Sequence, residues 1–164
     1  MIKYKPDSVS VVFEEIPDKV TLAIEITNCL GECVGCHSPW LRDDIGDELT
    51  PDKLLELIEK NKGINCVCFM GEGKDPDALK RLTLTIMVHH PELKIALYSG
   101  RSEVEESYDD FFDYIKVGPY IREFGPLNKE TTNQRLYFIN RDDVIRGGKP
   151  MRMDITSKFW RKDE

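Results

Sequence analysis

Three cysteines, Cys29, Cys33 and Cys36, stand in the run Asn28-Cys29-Leu30-Gly31-Glu32-Cys33-Val34-Gly35-Cys36-His37, with the spacing C-x3-C-x2-C. Thiolates are soft donors, and a set of them on one short loop suits a soft metal centre. Four-iron clusters ordinarily take four cysteines. Three leave one iron without a protein ligand, and that open position separates a catalyst from an electron carrier. Zinc is the alternative. Cys29, Cys33, Cys36 and His37 would then form a knuckle, or Cys66 or Cys68 would supply the fourth ligand. Adjacent ligands at Cys36 and His37 are geometrically awkward. Structural zinc usually uses paired C-x2-4-C units, and a second complete pair is missing from this chain. Ligand number and spacing therefore favour the cluster.

Elements must hold such a loop, and the sequence supplies them in alternation. Ser8 to Phe13 reads as a short leading strand. Val20 to Ile26 alternates Val, Leu, Ile and Ile with Thr, Ala and Glu, reads as a strand, and runs straight into the cysteines. Thr50-Pro51 opens a helix, with Thr as N-cap and Pro at the first helical position. Leu54, Leu55, Leu57 and Ile58 give it an apolar face, and Gly63 is placed to stop it. Ile64 to Met70 is a second, largely buried strand. Asp77 to His90 is a second helix, with Leu79, Leu82, Ile86 and Met87 inward and Pro91 ending it. Leu93 to Ser99 is a third strand. The acidic stretch Glu103 to Asp113 predicts a short helix, and Tyr114 to Val117 a fourth strand. Arg135 to Ile139 and Met151 to Ile155 read as late strands, paired across a turn at Gly147-Gly148.

Strands alternating with helices predict βαβ units and a mostly parallel sheet in an α/β fold. Right-handed crossovers put all helix-preceding loops on one side. The cysteine loop, Gly71-Glu72-Gly73, Ser99-Gly100 and Gly118-Pro119 then all fall at C-terminal strand ends, where open sheets and barrels place their sites. The chain has 164 residues, enough for one domain, 1–164, with a sizeable core. A full eight-unit barrel needs about 200 residues or more, so a partial (βα) barrel is the economical solution.

Composition narrows the class further. The chain is 40% hydrophobic and 32% charged, as in soluble globular proteins. Its net charge of -7 argues against non-specific nucleic-acid binding, which needs a basic footprint. No segment approaches the roughly 18 uninterrupted apolar residues of a membrane span, and no apolar stretch near Met1 predicts a signal peptide. Clustered cysteines without a sign of secretion point to reduced thiols and the cytoplasm rather than to a disulfide framework.

The cysteine triad resembles the signature of radical S-adenosylmethionine enzymes. The resemblance implies a [4Fe-4S] cluster on Cys29, Cys33 and Cys36, with the methionyl amine and carboxylate of S-adenosyl-L-methionine on the fourth iron. It implies reductive cleavage of the sulfonium to a 5'-deoxyadenosyl radical. Breaking that carbon–sulfur bond needs a strongly reducing electron, and cluster potentials reach down to about -700 mV. Gly35 before Cys36, then His37-Ser38-Pro39, together with Asn133-Gln134-Arg135 after Thr131-Thr132, is similar to the activating proteins of anaerobic ribonucleoside-triphosphate reductase. The resemblance runs from about Val20 to Arg135. It implies a protein substrate, a glycine of that reductase, and an electron donor such as flavodoxin. Two other readings stand beside it: another small radical S-adenosylmethionine enzyme or activator, and a zinc-stapled binding module.

Cofactor contacts follow from the same resemblance. In the family the second-strand motif is commonly Gly-Gly-Glu-Pro and meets the amino group of the bound methionine. Here it reads Met70-Gly71-Glu72-Gly73. Glu72 and the backbone around Gly71 retain acceptors for an ammonium, whereas Met70 adds bulk where the family has glycine. Ser38 replaces an asparagine common at that place. Ser99 either hydrogen-bonds the ribose or caps the next helix. Gly100 and Gly118 fit simple turns. Cys66 and Cys68, two apart on a strand, read as small buried side chains. Trp40 either shields the cluster or belongs to the core. His89 and His90 sit where polar groups complement a helix terminus, and the acidic residues from Glu103 to Asp113 read as a solvated face.

Overall fold

A computed structural model describes residues 1–27, 46–141 and 151–160. The strands are β1 (Lys3–Tyr4), β2 (Ser10–Val12), β3 (Thr21–Glu25), β4 (Asp47–Glu48), β5 (Cys66–Met70), β6 (Lys94–Tyr98), β7 (Tyr114–Val117), β8 (Arg135–Ile139) and β9 (Arg152–Asp154). The helices among the described residues are α1 (Pro51–Lys60) and α2 (Pro76–His89). A seven-stranded sheet runs in the order β2-β3-β5-β6-β7-β8-β9. Its centre, β3-β5-β6-β7, is parallel; β2 is antiparallel on one side, β8 and β9 on the other. This is a mixed α/β fold with a parallel centre and few helices.

The expected helix starts are met by capping. Thr50 Oγ1 accepts from the Lys53 amide at 3.1 Å, and Pro51 takes the first helical position. Asp75 caps α2 by accepting from the Ala78 amide at 3.1 Å. These bonds satisfy amides that the first turn leaves without an intrahelical partner. The first helix stops at Lys60, ahead of Gly63, which lies in the turn beyond it. The acidic stretch holds the expected short helix, as a 3-10 turn at Glu106–Asp110. The turn expected at Gly147-Gly148 lies outside the described residues.

Alternation along the strands divides the sheet into two faces. Leu22, Ile24, Val67, Phe69, Ile95, Leu97, Ile115 and Val117 share one buried cluster with Leu54 and Ile58 of α1 and Leu79, Leu82 and Ile86 of α2. Both helices thus cover that face. The other face carries a smaller cluster of Cys66, Cys68, Ala96, Tyr114 and Leu136, closed by Ile16 and Ile155. Two short elements escaped the sequence reading, β1 and β4, which pair as a separate two-stranded ribbon. A further bridge joins Tyr4 to Ile26. The Lys5 amide reaches the Glu25 carbonyl and the Thr27 amide the Lys3 carbonyl, both at 3.0 Å, while the Ile26 amide reaches the Met70 carbonyl on the other side. The exit of β3 is therefore held from both flanks immediately before the cysteine run begins.

Candidate functional site

Parallel pairing sets the geometry of the site. Glu25, Met70, Tyr98 and Lys116 are successive register partners across β3, β5, β6 and β7. They lie at or next to the C-terminal ends of these strands. The loops that leave those ends are consequently neighbours. The sequence reading singled out Gly71, Glu72 and Ser99, and the structure brings all three together. The Gly71 amide donates to the Tyr98 carbonyl at 2.8 Å. Glu72 is 4% exposed. Its carboxylate accepts from the Ser99 hydroxyl, from Arg101 Nε at 2.8 Å and from Arg101 Nη2 at 2.6 Å.

Arg101 was absent from the sequence reading, yet it organises this corner. Its guanidinium engages both oxygens of Glu72 and also reaches Glu105 Oε1 at 3.1 Å and Oε2 at 2.8 Å. Such forked, charge-assisted contacts fix orientation as well as energy. The hydrogen bond from Arg101 lowers the Glu105 pKa below the usual carboxylate value. The hydrogen bonds it donates to Glu72 and Glu105 raise that of Arg101, so the guanidinium is a fixed cation. Ser99 does not cap an α-helix. Its Oγ accepts from the Arg101 amide at 3.1 Å while donating to Glu72.

Lys116 is the second charged group that the sequence reading missed. It is 8% exposed on β7. Its Nζ donates to the Gly118 carbonyl at 2.9 Å and the Ser99 carbonyl at 3.4 Å, and lies 5.6 Å from the centre of the Tyr98 ring. It ties the ends of β6 and β7 together. The Gly118 amide meets the Arg101 carbonyl at 2.6 Å. Gly118 has φ +102°, and a Cβ there would sit 3.1 Å from Gln134 Cα. Gln134 Nε2 donates to the Gly118 carbonyl at 3.3 Å and Asn133 Nδ2 to the Pro119 carbonyl at 3.0 Å. The Thr132-Asn133-Gln134 segment, singled out in the sequence, is thus built into the same strand ends. Gly73 is held closely too: at φ +67°, an added Cβ would lie 3.0 Å from Ile2 Cδ1 and 3.3 Å from Ile26 Cγ2.

Two buried acceptors at these strand ends lack a hydrogen-bond partner among the described residues. They are Glu25 Oε2 and Asn133 Oδ1. Buried polar atoms are nearly always paired, so each of these two acceptors calls for a donor that the described residues do not supply. The signal for Glu25 was a lone carboxylate in an apolar strand; for Lys116 it was a lone ammonium in Tyr-Ile-Lys-Val.

Cys29, Cys33 and Cys36 lie outside the described residues, as do Asn28, His37, Ser38 and Trp40. Among the described residues no group of His, Cys, Asp and Glu side chains is arranged to hold a metal ion. Cys66 and Cys68 are buried free thiols. Burial pushes the Cys66 thiol up to about 12 and raises that of Cys68 as well. Both therefore stay protonated, poor metal ligands and poor nucleophiles. No helix among the described residues is long and apolar enough to cross a membrane. No family model, no curated protein and no solved structure matches this chain.

Proposed function

We propose that the protein is a radical S-adenosylmethionine activating enzyme, built on a partial (βα) barrel, that installs a glycyl radical in an anaerobic ribonucleoside-triphosphate reductase. One observation carries the reading. The parallel order β3-β5-β6-β7 sets the strand that enters the C-x3-C-x2-C run beside the Gly71-Glu72 loop and the Ser99 loop. A cluster ligated by Cys29, Cys33 and Cys36 would then neighbour the surface that holds its cofactor. Bound there, S-adenosylmethionine would take one electron, release methionine and supply a 5'-deoxyadenosyl radical to abstract a hydrogen atom from a glycine α-carbon.

The residues present suit that cofactor. It offers an amino group, ribose hydroxyls and an exocyclic amine, all donors. The strand ends offer unpartnered acceptors on Glu25 and Asn133. Gly71 (φ +116°) and Gly73 (φ +67°) give the loop after β5 a backbone path that favours glycine. The Arg101–Glu72–Ser99 network holds the loops after β5 and β6 in register. Lys116 fixes the floor between β6 and β7. A protein substrate accounts for an unclosed barrel, since a polypeptide loop must reach the reacting carbon. The reductant would be a small electron-transfer protein such as flavodoxin, and the setting the cytoplasm.

The test is electron paramagnetic resonance on anaerobically reconstituted, reduced protein. A reduced-cluster signal should appear and shift when S-adenosylmethionine is added. Incubation with the reductase, reductant and cofactor should then yield a glycyl radical signal on the partner. A colourless protein containing zinc and indifferent to the cofactor would overturn the reading.

A further inference from the structure

The face of the sheet opposite the helices ends in a row of four register partners, Glu25, Met70, Tyr98 and Lys116. Three of them are already engaged. The Tyr98 hydroxyl donates to the Glu15 carbonyl. Met70 Sδ receives the Cys68 thiol at 3.5 Å. Lys116 Nζ holds the Gly118 and Ser99 carbonyls. Glu25 alone in this row keeps a buried oxygen, Oε2, with no partner among the described residues. Leu22, Ile24 and Ile26 all point to the helix side, so alternation sends Glu25 to the opposite face. An ionised carboxylate is an acceptor only, and burying one of its oxygens unpaired is unfavourable. The group that relieves this is a hydrogen-bond donor.

The carboxylate that the family resemblance would assign to an ammonium is that of Glu72. Here both of its oxygens accept from Arg101, and one accepts from Ser99 as well. Displacing a forked guanidinium to admit an ammonium would exchange one strong pair for another. Glu25 offers its acceptor without that exchange. It is bonded in register to Met70, the residue before Gly71-Glu72, and precedes Cys29 by four positions in the chain. We infer that Glu25, rather than the carboxylate of Glu72, accepts a hydrogen bond from the amino group of S-adenosylmethionine. This rests on the functional reading above. Glu72 then acts as a positioning residue that holds its loop through Arg101.

Equilibrium binding to the anaerobically reconstituted full-length protein tests it. The ligands are S-adenosylmethionine, S-adenosylhomocysteine and the analogue of S-adenosylmethionine lacking the amino group. Glu25→Gln should weaken the first two by the same factor, roughly 10- to 100-fold for a lost charged hydrogen bond. Affinity for the deaminated analogue should stay unchanged. Glu72→Gln provides the contrasting case: any loss should fall equally on ligands with and without the amino group, alongside a lower urea midpoint. Equal affinity of Glu25→Gln and wild type for S-adenosylmethionine would overturn the inference. So would a loss confined to the sulfonium ligands, or amino-specific coupling at Glu72 instead. Should Glu25→Gln fail to fold, Glu25→Asp, which keeps the charge on a shorter stem, must show a smaller loss with the same ligand pattern. Wild-type protein that bound none of the three ligands would remove the functional reading itself, a result distinct from all the others.

Discussion

Phe69 and Cys68 are neighbours in the chain and live in different surroundings. Phe69 faces the helices, fully buried, its ring edge-on to Phe112 with centroids 6.4 Å apart. Cys68 faces the other way, toward Ala96, Leu136 and Ile16, on a side whose C-terminal margin carries Glu25 and Lys116. The helix face is uniformly apolar and well supplied with large side chains. The opposite face is small and apolar at one end, charged at the other. One face builds the domain; the other leaves polar atoms at its margin for use. Successive residues of the same strands therefore enter the large core or the smaller mixed face by alternation.

The contrast gives a ranked set of expectations. The largest effect belongs to the helix face. Phe69→Ala should destabilise by about 3–5 kcal/mol in urea unfolding, the range for a large aromatic deleted from a core. Cys68→Ala, one residue away, should cost far less; an equal loss would erase the distinction between the faces. Next comes the network that joins the loops. Arg101→Ala leaves the buried Glu72 carboxylate without its cation. The cost should be about 2–3 kcal/mol, below the 3–5 kcal/mol of a fully buried pair because a third of the Arg101 side chain meets solvent. Loss of less than half a kcal/mol would mean that solvent replaces Arg101 freely.

Alkaline pH probes the small apolar cluster through its two thiols. Burial raises Cys66 from 9.0 to about 12 and raises Cys68 further above the ordinary thiol value. Below the unfolded value both states hold the proton and pH has no effect through these groups. Above it the unfolded chain loses protons that the folded chain keeps. Stability should then fall from about pH 9 toward pH 12, by up to about 1.4 kcal/mol per pH unit for each thiol. Tyr108 and Tyr114, pushed to about 12 mainly by burial, add to the decline from their ordinary 10.0 upward. Cys66→Ala should make the decline shallower, as read from urea midpoints at successive pH values. The smallest effect is the most informative. Glu25→Gln should leave stability within about 0.5 kcal/mol of wild type or raise it slightly, because it neutralises an unpartnered buried oxygen. A large destabilisation would make Glu25 a structural residue and move the charged margin into the scaffold.

Much of the scaffold was legible because it rests on local rules. Thr50-Pro51 marks the first helix, and the bounds of Tyr114–Val117 and Arg135–Ile139 coincide with their apolar runs. The loops at Gly71, Ser99 and Gly118 could be grouped once a parallel order was assumed. What stayed hidden depends on distance in the chain. Arg101 meets Glu72 across 29 residues, and nothing in either local stretch names the other. The pairs β1 and β4 are two residues long, too short for any period to show. The charged stretch from Glu103 to Asp113 looked like a solvated face; Glu105 is exposed even as it holds Arg101, but Asp109 and Asp113 are buried and accept from Arg152 at 2.8 Å and from Arg141 at 2.9 Å. Charge density alone could not separate those two from their exposed neighbours.

Five cysteines in one chain would ordinarily confuse any thiol chemistry performed on it. The inward pair at Cys66 and Cys68 removes that difficulty. Shielded by the sheet and kept protonated, these two should be silent toward iodoacetamide in the native protein and become reactive on unfolding. Alkylation of the native chain thus reports on Cys29, Cys33 and Cys36 alone, and whether added iron protects those three can be counted by mass without replacing a single residue.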